Sequence, residues 1–124
     1  MKIRVYYEDT DAGGVVYHSN YLKFCERARS ELFFQKGADI FDSKRGHFVL
    51  SRADCSFLKP AKLGDVIEVR TQILRLRVAS VNLRQEIYKD TERIFVGDFV
   101  LALVKDSKPA RIEGELRRLF EALF

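Results

Sequence analysis

Residues 5–29, VYYEDTDAGGVVYHSNYLKFCERAR, constrain what this chain can fold into more than any other stretch. They pass from a strand, through an acid-rich loop with adjacent glycines, into an amphipathic helix. Ile3, Val5 and Tyr7 alternate with Lys2, Arg4 and Glu8, which predicts a half-buried first strand over residues 2–8. Residues 9–18 read as a loop in which Gly13 and Gly14 allow a sharp turn or a close backbone approach to a ligand. Ser19 or Asn20 can cap the helix that follows, which runs to about Lys36 and stops at Gly37. Tyr21, Phe24, Cys25, Ala28, Leu32 and Phe33 recur at helical spacing, with Lys23, Glu26, Arg27 and Glu31 largely elsewhere. So wide an apolar stripe predicts a helix wrapped by a sheet.

Strands are predicted at about 47–58, 65–77, 80–89 and 93–105. The first of these shows Val49, Ala53, Cys55 and Phe57 on one face. In the next, apolar residues hold odd positions through Ile73 and then switch to Leu74 and Leu76, which predicts a bulge or a strong bend. The run IFVGDFVLALV is nearly all apolar, as for a central strand covered on both faces. Pro60 with KLGD, and KDTER, supply the turns between strands. Leu116, Leu119, Phe120, Leu123 and Phe124 form the stripe of a terminal helix docked on the domain or on a partner subunit. One strand, one long helix and four strands, without alternating helix–strand units, argue for an α+β fold: a curved antiparallel sheet on a central helix.

The loop also carries chemistry. Asp11 and His18 stand just before a helix N-terminus, where unpaired backbone N–H groups and a partial positive charge gather. A carboxylate there could attack a carbonyl carbon while the N–H groups hold the developing oxyanion. A bland role competes, because Asp before glycine commonly makes an Asx turn. Asp9 is the rival carboxylate; with Glu8 it reads as capping loop hydrogen bonds or keeping the surroundings of Asp11 polar. If strand geometry persisted, Asp9 and Asp11 would point the same way.

The segment over residues 4–32 resembles the start of the hotdog-fold acyl-CoA thioesterases, in particular the YbgC-like and 4-hydroxybenzoyl-CoA thioesterase group, and the likeness continues more weakly through FLKPAKLGDVIEV, residues 57–69. The resemblance implies a five-stranded antiparallel curved sheet wrapped around the long helix, with a short C-terminal helix. It implies that Asp11, the second Asp of EDTDAGG, is catalytic, as nucleophile or as general base for water. The backbone N–H at His18 would polarise the thioester carbonyl; its imidazole would bond a neighbouring backbone group or the reacting group. Tyr7 would line the acyl pocket, bond Asp11 or pack in the core. Gly14, Tyr17 and Ser19 are further substrate-binding candidates, and Arg77 and Ser80 align with a turn that holds CoA phosphates. Val78 and Ala79 depart from the more basic residues of such turns, and Lys59 and Lys62 are lower-ranked surface candidates.

The reaction implied is R–CO–S–CoA + water giving acid and free CoA. Two other readings of the same features are a hotdog hydratase or dehydratase, in which His18 would matter as much as Asp11, and a non-catalytic module that binds acyl thioesters or acyl-carrier protein. No metal cluster, nucleotide loop or Ser–His–Asp set stands out, so no cofactor is expected. With 124 residues the chain is one domain, 1–124, and its net charge of +4 is interleaved with acids, which suits a polyanion such as CoA and argues against nucleic acid. Cys25 and Cys55 lack metal-ligand spacing and read as reduced thiols. No membrane-length apolar run or signal peptide is apparent, so a cytoplasmic location is expected. A curved sheet wrapped on one helix leaves apolar surface and a sheet edge, so a homodimer is expected, or a tetramer of stacked dimers.

Overall fold

A computed structural model describes residues 1–36, 44 and 46–123. In chain order these form β1 (Lys2–Arg4), α1 (His18–Gln35), β2 (His47–Phe57), β3 (Val66–Leu76), β4 (Ser80–Lys89), β5 (Glu92–Lys105), β6 (Lys108–Pro109) and α2 (Gly114–Ala122). The sheet is antiparallel, ordered β1-β3-β4-β5-β2, with the two-residue β6 added beside β5. The four longer strands fall where alternation and turn residues place them; β6 is too short to leave a pattern.

The sheet closes over α1 as the wide stripe requires. Tyr21, Phe24, Cys25, Ala28 and Phe33 are buried. The first four of these meet Ile3, Val5, Ile67, Val69, Ile87, Phe95 and Phe99 in one apolar cluster. Phe33 joins a second with Val81, Leu83, Leu101 and Leu103, closed by Leu116 and Phe120 of α2. The amphipathic C-terminal segment is therefore a docked helix on its own domain. Gly37, the expected stop of α1, and Phe124 lie outside the described residues.

Three expectations need correction. The first strand ends at Arg4, and Tyr7–Asp9 form a 3-10 turn, so Val5 is buried while Tyr7 is 83% exposed. β5 is interior, yet only its α1-facing side is buried; Val96, Val100, Ala102 and Val104 on the other side are half-covered. β2 pairs only with β5 and slips register between Leu50 and Arg52. Ala53, Cys55 and Phe57 oppose the inward Phe99, Gly97 and Phe95, whereas Val49 opposes Ala102 and faces the other way. The bulge expected in β3 is present, as a register shift between Ile73 and Arg75.

Candidate active site

The loop between β1 and α1 is pinned at its neck. Thr10 and Val16 form an isolated antiparallel bridge, and Tyr17 N–H donates to the Asp9 carbonyl at 3.0 Å. Inside the neck, Asp11 N–H donates to the Val15 carbonyl (2.9 Å) and Gly14 N–H to the Asp11 carbonyl (3.0 Å). Gly14 sits at φ +78, in the left-handed region that side-chain-bearing residues rarely adopt. The outer side of the loop is held by residues 61–63: Val16 N–H donates to the Ala61 carbonyl at 2.9 Å, and Val15 bridges Lys62.

Asp11 stands exposed at the tip, with Oδ1 accepting the Gly13 N–H at 2.8 Å. This is the Asx turn that Asp before glycine favours, and it fixes the carboxylate while Oδ2 has no partner among the described residues. A β-carbon at Gly13 would lie 3.2 Å from Asp11 Oδ1, so Gly13 also keeps the carboxylate clear.

Asp9 does not share this position, because the 3-10 turn ends the strand geometry that would have aligned the two. Only 4% exposed, it accepts from Tyr6 N–H through Oδ2 (2.9 Å) and from Asn20 Nδ2 through Oδ1 (3.0 Å). Its loop-capping role is as the sequence suggests.

α1 begins at His18, with Tyr17 as an extended N-cap residue that supplies no side-chain cap. Neither Ser19 nor Asn20 caps the helix: both lie inside the first turn. Asn20 N–H donates to the Tyr17 carbonyl at 2.9 Å, and the Tyr17 N–H is used by Asp9. The backbone N–H groups of His18 and Ser19 have no acceptor among the described residues, as expected of a first turn. They are the free donors at the entrance.

The His18 side chain is exposed and forms no hydrogen bond among the described residues; it packs against Tyr17 at 4.3 Å and Phe57 at 6.4 Å between ring centroids. Phe57 also meets Tyr21 edge-on, and Tyr21 stacks on Phe95. The Tyr21 hydroxyl accepts the Ala61 N–H at 3.0 Å, and burial pushes its pKa up. Tyr7 neither bonds Asp11 nor packs in the core. With Tyr17, Phe57, Leu58 and Leu63 it leaves exposed aromatic and aliphatic surface at this end of the chain. From Leu22, one turn into α1, a groove of about 420 Å³ runs past Arg29, Phe33, Phe48, Leu50 and Leu101, between the helix and the β2 edge. The contact of Phe57 with His18 and the groove carry no sequence signal, since each depends on packing between distant segments.

Arg77 and Ser80 are not in this group. They flank the β3–β4 hairpin, where Arg77 N–H donates to the Ser80 carbonyl at 2.8 Å. That turn is backed by the C-terminal segment, with Ile112 N–H on the Val78 carbonyl (2.7 Å) and Arg117 on the Arg77 carbonyl (3.2 Å). The loop bearing Asp11 meets the opposite end of β3, so strand rise alone separates the two by roughly 30 Å within one chain.

An antiparallel sheet folded over one long helix defines a hotdog-type protein. Residues 13–96 match the thioesterase superfamily (4HBT), and the chain belongs to that family. It is 56% identical over 88 residues, 71% of its length, to the acyl-CoA thioesterase YbgC of Helicobacter pylori, and the match spans 65% of that relative's own length. The YbgC acyl-CoA thioesterase of Haemophilus influenzae is 34% identical over 98% of this chain and 93% of its own. Among solved structures, a thioesterase of Thermus thermophilus in complex with coenzyme A and zinc superposes with a TM-score of 0.86 at 27% identity, over 99% of this chain and 92% of that one. Among the described residues no helix is long and apolar enough to cross a membrane.

Proposed function

We propose that this chain hydrolyses acyl-CoA thioesters to the free acid and CoA, with Asp11 as nucleophile or general base and the His18 and Ser19 N–H groups holding the carbonyl oxygen. The observation that carries this reading is one pinned loop that bears a fixed carboxylate and leads into backbone N–H groups with no acceptor among the described residues. The neighbouring aromatic surface and the groove starting at Leu22 offer apolar room for an acyl chain. Relatives named as acyl-CoA thioesterases, and a similar structure that binds coenzyme A, support the same substrate class. The free thiols of Cys25 and Cys55 suit a reducing compartment such as the cytoplasm.

The active unit in this reading is at least a homodimer. β2 is an eleven-residue edge strand whose outer side pairs with no strand among the described residues, and Val49, Leu50 and Phe57 along it are exposed. Pairing there would also bring a second chain to the groove beside α1. The Arg77–Ser80 turn then contacts the CoA phosphates of a thioester whose acyl end sits on the partner, since its own Asp11 is too distant. A hydrolysis screen over acyl-CoAs of differing length and aromaticity, following free thiol release, tests the function. Binding without turnover across that panel would replace it with a thioester-binding module.

A further inference from the structure

The buried carboxylate of Asp9 is left unused by the chemistry above, although it lies two residues from Asp11. Burying a charged carboxylate costs free energy unless its oxygens are bonded, and here both are taken by neutral donors, Tyr6 N–H and Asn20 Nδ2. No Lys or Arg pairs with it among the described residues. The two bonds join different elements: Tyr6 N–H closes the 3-10 turn that leads into the loop, and Asn20 belongs to the first turn of α1. The Asp9 main chain makes a third tie, its carbonyl accepting the Tyr17 N–H at 3.0 Å. Asp11 hangs from one side of this junction and the free His18 and Ser19 donors from the other.

We propose that Asp9 and Asn20 form a positioning clamp that sets the spacing between the Asp11 carboxylate and the oxyanion donors of α1. The proposal rests on the catalytic reading of Asp11. Asp9 does not touch substrate; it acts through the junction, and reacting groups misplaced by about an ångström lose rate steeply. Substrate binding draws instead on the groove and the distant phosphate contacts, so loosening the clamp lowers kcat and leaves KM nearly unchanged.

The test is an exchange of the two side chains in the full-length protein. Asp9→Asn keeps an acceptor for Tyr6 N–H, and its NH2 can bond Asn20 only if that amide turns over to present its oxygen, so this exchange loosens the clamp mildly. Asn20→Asp sets two carboxylates against each other. The double variant restores every bond: Asn at 9 accepts from Tyr6 and donates to Asp at 20. Net charge is conserved, and the carboxylate moves by one hydrogen bond to a first-turn position that the helix N-terminus favours. Asn20→Asp should lose at least tenfold in kcat with KM within about threefold, Asp9→Asn should lose less, and the double variant should recover kcat to within about threefold of the starting protein. Asn20→Ala, which removes the donor without opposing charge, should give a smaller kcat loss and remains available if the single exchanges do not fold. Undiminished kcat in folded Asn20→Ala or Asn20→Asp overturns the clamp. So does a folded double variant that stays impaired, which would make the charge at position 9 itself the requirement. An Asp11→Asn control separates the readings: if that variant is active the catalytic assignment fails, whatever the exchange shows.

Discussion

Asp11 Oδ1 accepts the Gly13 N–H at 2.8 Å, so the carboxylate is held by its own loop rather than by a neighbouring charge. Asparagine at position 11 keeps that acceptor while losing the negative charge. Asp11→Asn should therefore fold with an unchanged melting temperature, bind thioester and lose about a hundredfold or more in turnover. Steady-state thiol release gives the answer, and retention of more than about a tenth of the rate would remove Asp11 from the chemistry.

The helix entrance separates backbone from imidazole. His18→Ala leaves the N–H in place, so a loss well below that of Asp11→Asn supports the backbone role; an equal loss would favour the proton shuttle of a hydratase. Ser19→Pro removes an N–H that has no acceptor among the described residues, at a first-turn position where no intrahelical bond is lost. It should lower kcat with circular dichroism unchanged. Normal turnover in that variant would show that Ser19 N–H holds no oxyanion.

Much of this arrangement is legible in the residue order, for identifiable reasons. β3, β4 and β5 alternate between a buried and an open face, and the connections before β3 and before β5 carry Pro, Gly or Asp, so strand bounds follow from the pattern. The register slip in β3 shows because apolar residues change phase at Ile73 and Leu74. The slip in β2 does not show, because Ser51 and Arg52 interrupt an edge strand with too few apolar residues to mark a phase. The end of β1 is hidden for a different reason. Tyr7 continues the apolar alternation, yet the Asp9 side chain folds back onto Tyr6 N–H and curls the backbone into a turn. Asp11 stands out through its motif and its place before a helix, whereas Asn20 looks like a cap and instead bonds Asp9.

Remote phosphate contacts should act on binding alone. Arg77 is exposed, and its side chain has no partner among the described residues. Arg77→Glu should raise KM several-fold with kcat nearly constant, because interactions equal in ground and transition states do not speed the chemical step. A matching fall in kcat would place the turn nearer the reacting atoms than the proposed assembly allows.

Cys25 offers a pH signature of the core beneath α1. It is fully buried, and burial pushes its thiol pKa up to about 12. An unfolded thiol ionises near 8.5, so above that pH the unfolded state binds fewer protons and stability falls as pH rises toward the folded value, by about 2 kcal/mol at pH 10 from this group. Cys25→Ala should start less stable at neutral pH, yet lose less on moving to pH 10, as read from denaturant midpoints. The native thiol should also resist alkylating reagents that label the half-buried Cys55.

The last expectation concerns assembly, and it follows from β2. No strand among the described residues pairs with its outer edge over eleven residues, and an open edge of that length invites a second strand. Leu50 is 45% exposed on the edge and also lines the groove beside α1. A lysine there would put charge into both the seam and the groove rim. Light scattering at micromolar concentration should give a dimer or a tetramer for the natural chain. Leu50→Lys should shift the population toward monomer and reduce turnover in step, because the Arg77–Ser80 turn can serve a thioester only across the seam. A monomer with full activity would dismantle the shared-site arrangement, and the CoA phosphates would then have to be held at the Asp11 end of a single chain, where Lys59 and Lys62 stand.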